Sequence, residues 1–565
     1  MNKLLLLLIL TFGQIHLSKL EDPLVELPNG EIVGREDVTA ESKTYYAFEK
    51  IPYAAPPVGD LRFQPPQPVE NWDGILNTTN LDISCYQLNN RMKMPPQLGQ
   101  SEDCLFLNVF TPKLPSPEDE ELLPVMLFIH GGGFVGGSAG NNPPDLFINK
   151  DVILVTINYR LGVFGFISTQ DDIIPGNNGL KDQLQALKWT NQNIHLFGGD
   201  PERVTIFGQS AGAGSVAHLT LNQNALGLFQ GAIMESGTSL CTGMFQRNSR
   251  SIAFGTGAII DSTFETSEDS QALLELLRSV SADDLNAAAT EHTTAITNSW
   301  DNFLEVGSVF APVIEAKNPD AFITKKMYGL IKAGNVVPVP IILGYNSEEK
   351  LGMAGSQDEV ATIAAILDEN LDYLVPADMQ ITDLDSRTEM GSKIREIYTG
   401  GEPFGDHLGD TVRFSSDNFL SRSMGKHAEL FSQSAATYFY EFSYQGSLGP
   451  GPRDGDGTTG VSHGGEMQYL FCSGTSCTDA DEADLLERER MITLWTNFAK
   501  YQNPTPEPVE LLQNITWTPV STDTGDFFYL NIDADLEVAN HPKGEAYLKW
   551  LELYDSIDYD DFDTF

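Results

Sequence analysis

A chain of 565 residues with 41% hydrophobic content is long and apolar enough to bury a large core, and no linker, repeat or low-complexity tract divides it. Its formal net charge of -45 at pH 7 repels nucleic acid and anionic lipid, so neither is an expected partner. The histidines and cysteines lack the close spacing of a metal centre and no dinucleotide or phosphate-loop fingerprint occurs, so no metal or cofactor is expected.

In chain order, Lys3 followed by the run Leu4 to Leu10 reads as a secretory signal peptide over residues 1–18, with cleavage after Gly13 or Ser18. Its apolar stretch is too short to span a bilayer. Residues 19–550 then read as one domain, and 551–565 as an acidic tail, solvated and mobile, without the hydrophobic end that a lipid anchor signal needs. Export implies an oxidising compartment, so the five cysteines are read first as disulfide partners. Cys85 and Cys104 are candidates to close a modest loop, Cys472 and Cys477 a very small one, and Cys241 is the candidate for the unpaired thiol. Asn77 and Asn514 open glycosylation sequons, consistent with export.

Leu27 to Ala47 alternates as an antiparallel hairpin does, and the proline-rich stretch from Ile51 to Gly59 predicts a fixed surface loop ending at Arg62-Phe63. Strands are predicted at Leu105 to Phe110 and Pro124 to Ile129, the second running into His130-Gly131-Gly132-Gly133-Phe134. The β-branched run within Asp151 to Asn158 marks a parallel strand buried on both faces. Leu180, Leu184, Leu187, Trp189 and Ile194 recur at helical spacing in Asn178 to Phe197. Val204 to Phe207 is the next strand, followed by Gly208-Gln209-Ser210-Ala211-Gly212 and a helix start, and then by a strand at Gly231 to Met234. Helices are predicted over much of 251–289 and 358–433, flanking a strand at Val337 to Gly344 and capping the C-terminal edge of the sheet. A late aromatic strand, Ala435 to Tyr444, and a helix, Glu487 to Tyr501, complete an α/β progression.

Glycine two residues either side of Ser210, between a strand and a helix, is the arrangement that holds a serine hydroxyl clear of a sheet on a strained turn. A serine hydroxyl is a poor nucleophile until a base takes its proton, and that base needs a third group to orient it. The loop after the Val337 strand offers Glu348 and Glu349, and the glycine-rich loop after the late aromatic strand offers His463. Alone, the glycines after His130 would be a flexible turn; upstream of such a serine they can present two backbone N–H groups at one point, as an oxyanion hole requires. His195 and His218 read as surface or core residues, and His130 as a residue that shapes the glycine loop.

The blocks SEDCLFLNV at Ser101, HGGGF at His130, NYRLGVFGF at Asn158, GGDPERVTIFGQSAG at Gly198 and GVSHGGEMQYLF at Gly460 resemble those of type-B carboxylesterases, the α/β-hydrolase group that includes the cholinesterases. The resemblance runs from the early hairpin to the Glu487 helix. It implies an α/β-hydrolase fold: a large, mostly parallel central sheet, helices on both faces and helical cap insertions. It implies hydrolysis of small carboxylic esters through an acyl-enzyme, with Ser210 as nucleophile, His463 as base, Glu349 as acid with Glu348 turned to solvent, and Gly132, Gly133 and Ala211 as oxyanion donors. It pairs Cys85 with Cys104, and it sets Val306, Gly307 and Ser308 on the acyl side, where acetyl-selective relatives have bulky aromatics, so a roomy acyl pocket is expected.

Departures from the family pattern are also informative. Lys350 stands where a glycine usually follows the acid, and Lys50 where a glycine commonly precedes Ile51. Counting back from Cys104, the choline-binding tryptophan of cholinesterases falls at Met94, which removes the best cation–π partner for a quaternary ammonium. Gln209 replaces the usual glutamate before the nucleophile, and arthropod juvenile hormone esterases are similar in carrying glutamine there. Arg62-Phe63 and Asp182-Gln183 fit that subgroup and are shared widely beyond it. A non-catalytic binding module on the same fold would have lost the triad, which is complete in this sequence. The oligomeric state stays open.

Overall fold

The computed structural model describes residues 22–88, 98–116, 121–297, 308–351, 356–449, 458–521 and 526–565. The expected signal peptide lies outside them. An early hairpin, Leu24–Leu27 with Gly30–Val33, pairs in parallel with Ile75–Asn77 to make a small sheet. The main sheet has eleven strands: β1 Arg35–Val38, β2 Thr44–Pro52, β3 Phe106–Thr111, β4 Leu123–Ile129, β5 Ile153–Ile157, β6 Gly199–Gln209, β7 Gly231–Glu235, β8 Ile341–Asn346, β9 Thr437–Phe442, β10 Phe528–Ile532 and β11 Leu536–Asn540. Their spatial order is β11-β10-β9-β8-β7-β6-β4-β5-β3-β2-β1. Strands from β10 through β5 in that order are mutually parallel, and antiparallel pairs finish both edges.

This layering follows from the side chains. Every residue of β5, β7 and β8 is buried, as a strand with helices on both faces requires. One large apolar cluster lies on one face of the sheet, and a second, built on Phe128, Phe207, Phe471, Trp495 and Phe498, lies on the other. The single hairpin expected between Leu27 and Ala47 is two, because the chain leaves the small sheet at Gly34 and starts β1 at Arg35. The strand expected at Val337 begins later, at Ile341, since Pro338 and Pro340 have no N–H to give a ladder. Lys50 has φ 65° at a register shift in the β2–β3 pairing, which gives the physical reason a glycine suits that position. Its N–H donates to Asn108 Oδ1 and its ammonium pairs with Asp82, contacts that hold the bulge.

The insertions between β7 and β8 and between β8 and β9 are helical, at Ser249–Ile260, Ser270–Ser279, Ala282–Thr297, Gln357–Glu369, Leu384–Thr399, Leu408–Ser416 and Arg422–Phe431. Both leave the C-terminal ends of their strands, the edge at which Ser210 follows β6. Two readings of the sequence need correction. The helix expected from Glu487 begins at Glu482, where the Asp481 side chain caps it by accepting from Asp484 N–H. The tail expected to start at 551 and to be solvated is instead docked: the helix Gly544–Asp555 runs through that boundary, and Phe562 and Phe565 are buried. Phe565 stacks on Tyr554 with ring centroids 4.0 Å apart, and its N–H donates to the Leu240 carbonyl. Asp561 pairs with Lys326 and Asp563 with Arg247. The acidic run concealed the aromatic residues spaced within it.

Phe565→Ala is expected to cost about 3 kcal/mol of stability, the low end for emptying a buried phenylalanine site. Chemical denaturation checks this, and an unchanged midpoint would mean that the docked tail contributes nothing.

Candidate active site

Ser210 sits between β6 and the helix Ala211–Thr220 with φ 58° and ψ -124°, a conformation that a non-glycine residue holds only when its surroundings over-determine it. The restraints are visible. Ser210 N–H donates to the Glu235 carbonyl at 2.8 Å, and the Ser210 carbonyl accepts from Gly214 N–H at 2.9 Å. A Cβ on Gly212 would lie 2.0 Å from the Ile129 carbonyl oxygen, and one on Gly208 2.6 Å from it, so both flanking glycines are needed for the turn to approach the end of β4.

The glycine loop after β4 packs on this turn: a Cβ on Gly131 would fall 3.0 Å from Ser210 Cβ. Gly132 and Gly133 take φ 109° and 63°, and their N–H groups have no protein partner among the described residues. Ala211 opens its helix, so its N–H is one of the free donors at a helix start. His130 braces the loop. Its ring stacks on Tyr159, its Nδ1 lies 2.8 Å from the Gly131 carbonyl, and burial pushes its pKa down to about 4, so it is neutral and donates there. His218 is likewise buried and neutral, against the Met244 carbonyl, whereas His195 is exposed.

His463 Nδ1 meets Glu349 Oε2 at 2.6 Å, and the other carboxylate oxygen accepts from Asn346 N–H at 2.8 Å. The Glu349 side chain is fully buried and the imidazole partly open, an arrangement in which a carboxylate can orient an imidazole. The second ring nitrogen, Nε2, has the Gln209 amide at 3.3 Å. No hydrogen bond joins Ser210 Oγ to His463 among the described residues. Serine and histidine are thus brought to one end of the sheet with the amide of Gln209 at the ring nitrogen, a looseness common before substrate binds. Phe419, on a π-helical turn at Asp417–Ser421, meets the imidazole edge to face at 6.2 Å.

Glu348 is not turned to solvent. It is buried, accepts from Ser416 Oγ at 3.3 Å and faces Lys543 at 3.7 Å and Arg413 at 3.9 Å. Burial pushes its pKa up to about 7. The cation that draws it inward, Lys543, lies almost two hundred positions later, and its ammonium also donates to the Ser347 carbonyl. Two further acids escaped the reading of the sequence. Glu466, in the turn after His463, accepts from Asn346 Nδ2 at 2.5 Å, and Glu235 accepts from Trp495 Nε1 at 2.5 Å. Burial and then the nearby Glu349 charge raise Glu466 to about 7; burial and then Glu466 raise Glu235 well above the ordinary range. The spacing of Glu466 from His463 was the available signal for the first; Glu235 carried none.

Val306 and Gly307 lie outside the described residues, as does Met94. Ser308 is half-buried, and its carbonyl accepts from Gln246 Nε2 at 3.0 Å. Cys85–Cys104 and Cys472–Cys477 are disulfides, and Cys241 is a buried free thiol. Asn77 and Asn514 are exposed. Among the described residues, no helix is long and apolar enough to cross a membrane.

The raised acids make stability depend on pH. A glutamate whose folded pKa is about 7 against an ordinary 4.5 keeps a proton that the unfolded chain has already released, so stability falls as pH rises through that window and levels off above it. Each such group contributes up to about 1.4 kcal/mol per pH unit. Glu466→Gln is expected to flatten part of this slope in thermal melts taken across the window, and an unaltered slope would exclude Glu466 as a source.

The carboxylesterase family model matches residues 21–550. Juvenile hormone esterase of Tribolium castaneum is 33% identical over 93% of this chain and 90% of its own length, and esterase FE4 of Myzus persicae is 33% identical over 90% and 88%. The crystal structure of juvenile hormone esterase from Manduca sexta with OTFP covalently attached is similar at a TM-score of 0.79 and 28% identity, covering 95% of this chain and 99% of that one. A solved PNB esterase is similar at a TM-score of 0.72 and 28% identity, over 94% of this chain and 100% of that one. The chain belongs to the carboxylesterase family and is a carboxylic ester hydrolase.

Proposed function

We propose that Ser210, His463 and Glu349 are the catalytic triad, and that esters are cleaved through an acyl-Ser210 intermediate. The observation that carries this reading is the 2.6 Å contact of Glu349 with His463 Nδ1, which turns the opposite nitrogen toward the Gln209-Ser210 turn. As the Gln209 amide yields its place, Nε2 takes the proton of Ser210 Oγ while that oxygen attacks the ester carbonyl. Negative charge developing on the carbonyl oxygen meets the N–H groups of Gly132, Gly133 and Ala211. His463 then gives its proton to the departing alcohol, and water repeats the sequence to release the acid. Glu349 stays ionised throughout and stabilises the imidazolium.

The substrates are small carboxylic esters, and a roomy acyl side is read from the lack of bulky aromatics at Val306, Gly307 and Ser308 in the sequence. A sesquiterpenoid methyl ester is a second reading, supported by Gln209 and by the juvenile hormone esterases among the relatives. The protein is secreted and glycosylated at Asn77 and Asn514, a reading supported by the leader-like start, the disulfides and the exposure of both asparagines.

Ser210→Ala is expected to lower kcat by about four to six orders of magnitude. An organophosphate should label Ser210 in the parent, and a label on another serine would refute the assignment. Glu349→Gln is expected to cripple turnover far more than Glu348→Gln, which touches no reacting group.

Each acyl methylene buried in an open wall adds about 0.8 kcal/mol, so kcat/KM is expected to climb from p-nitrophenyl acetate to butyrate and octanoate. A steep preference for acetate would close the pocket. Turnover of a farnesoid methyl ester well above that of the p-nitrophenyl series would favour the second reading.

A further inference from the structure

We propose that Lys350 is a positioning residue for His463: its ammonium, seated on the ring of Phe419 beside the Glu349–His463 pair, holds that aromatic wall and opposes protonation of the histidine. The proposal rests on the reading of His463 as the catalytic base.

Lys350 stands where a glycine usually follows the acid in the family pattern, so its side chain adds a charge that a glycine would not supply. The Lys350 N–H donates to Ser416 Oγ at 3.0 Å, which anchors the backbone. Its Nζ stands 3.4 Å from the centre of the Phe419 ring, and Phe419 turns its ring toward the imidazole. A cation on an aromatic face is held by the ring quadrupole, so the lysine and Phe419 fix one another, and Phe419 fixes one side of the histidine. The turn carrying Phe419 is π-helical, a geometry that recurs at functional sites.

The charge has a second effect. A cation near the pair disfavours imidazolium and favours ionised Glu349. Burial lowers the Lys350 pKa to about 8, which leaves the ammonium charged throughout the range in which a histidine base gains its proton. The other titratable groups packed around the pair are raised by burial toward their neutral form or are already engaged. Glu466 and Glu235 lie behind the histidine, and Glu348, Asp417 and Glu441 surround Lys543, with Arg413 near Glu348. Lys543 is drawn to those carboxylates, so Lys350 is the cation on the Phe419 side of the imidazole.

The test is the pH dependence of kcat/KM for a p-nitrophenyl ester with the parent enzyme, Lys350→Met, Lys350→Arg and Lys350→Gln. Methionine keeps length and ring packing without charge, and it is expected to move the acid limb up by about half a pH unit, a roughly threefold loss on the acid side. Arginine is expected to leave the limb in place. Glutamine supplies a second uncharged variant if methionine compromises folding, as judged by thermal melting. An acid limb that coincides in parent and both uncharged variants overturns the proposal. A parent with no acid limb, or His463→Ala retaining turnover, overturns the underlying reading of the base, a result distinct from a failure of Lys350 alone.

Discussion

The structure depends on how closely one turn of backbone approaches another. The end of β4 and the turn after β6 come within a distance that leaves no room for a side chain on Gly208 or Gly212, and Gly131 sits against the serine from the other side. Two stretches far apart in the chain are locked by this approach: the loop that carries free N–H groups, and the strained serine with the strand that delivers it. The strain at Ser210 is stored in the junction between strands, where the hydrogen bond to the Glu235 carbonyl and the packing of β4 both oppose relaxation.

Much of this was legible in the sequence because backbone geometry leaves a signature in glycine spacing and in the change from a strand period to a helix period. The Ser210 turn, the glycine loop, the acid loop and His463 all announce themselves by residue type at a strand end. The surroundings of the acids did not. Glu348 and Glu349 are adjacent and chemically identical, and what separates them is Lys543 beside the first and His463 beside the second. Such long-range charge pairing has no period and no local pattern. The docking of the final helix and tail was concealed by something else: the acidic composition of the tail masked its buried aromatics.

Charge is distributed unevenly around the site. Glu235, Glu466 and Glu349 cluster behind the histidine, with Glu348, Asp417 and Glu441 on the neighbouring flank. In so acidic a protein, carboxylates at this density would repel one another, and burial answers part of the problem by raising proton affinity. Asn346 answers another part, since its amide bridges Glu466 while its backbone N–H serves Glu349. The acid loop is therefore held by neutral donors as much as by cations.

The contact of Lys543 with the Ser347 carbonyl and Glu348 has a consequence for the timing of synthesis. Residue 543 leaves the ribosome after the serine, the glycine loop, the acid and the histidine have all emerged. Glu348 therefore lacks its nearest counter-charge, and the Ser347 carbonyl its ammonium donor, while the earlier parts of the site are already outside the exit tunnel. A nascent chain at that stage holds the Ser210 turn, the glycine loop, Glu349 and His463, but not the lysine that meets the Ser347 carbonyl and Glu348.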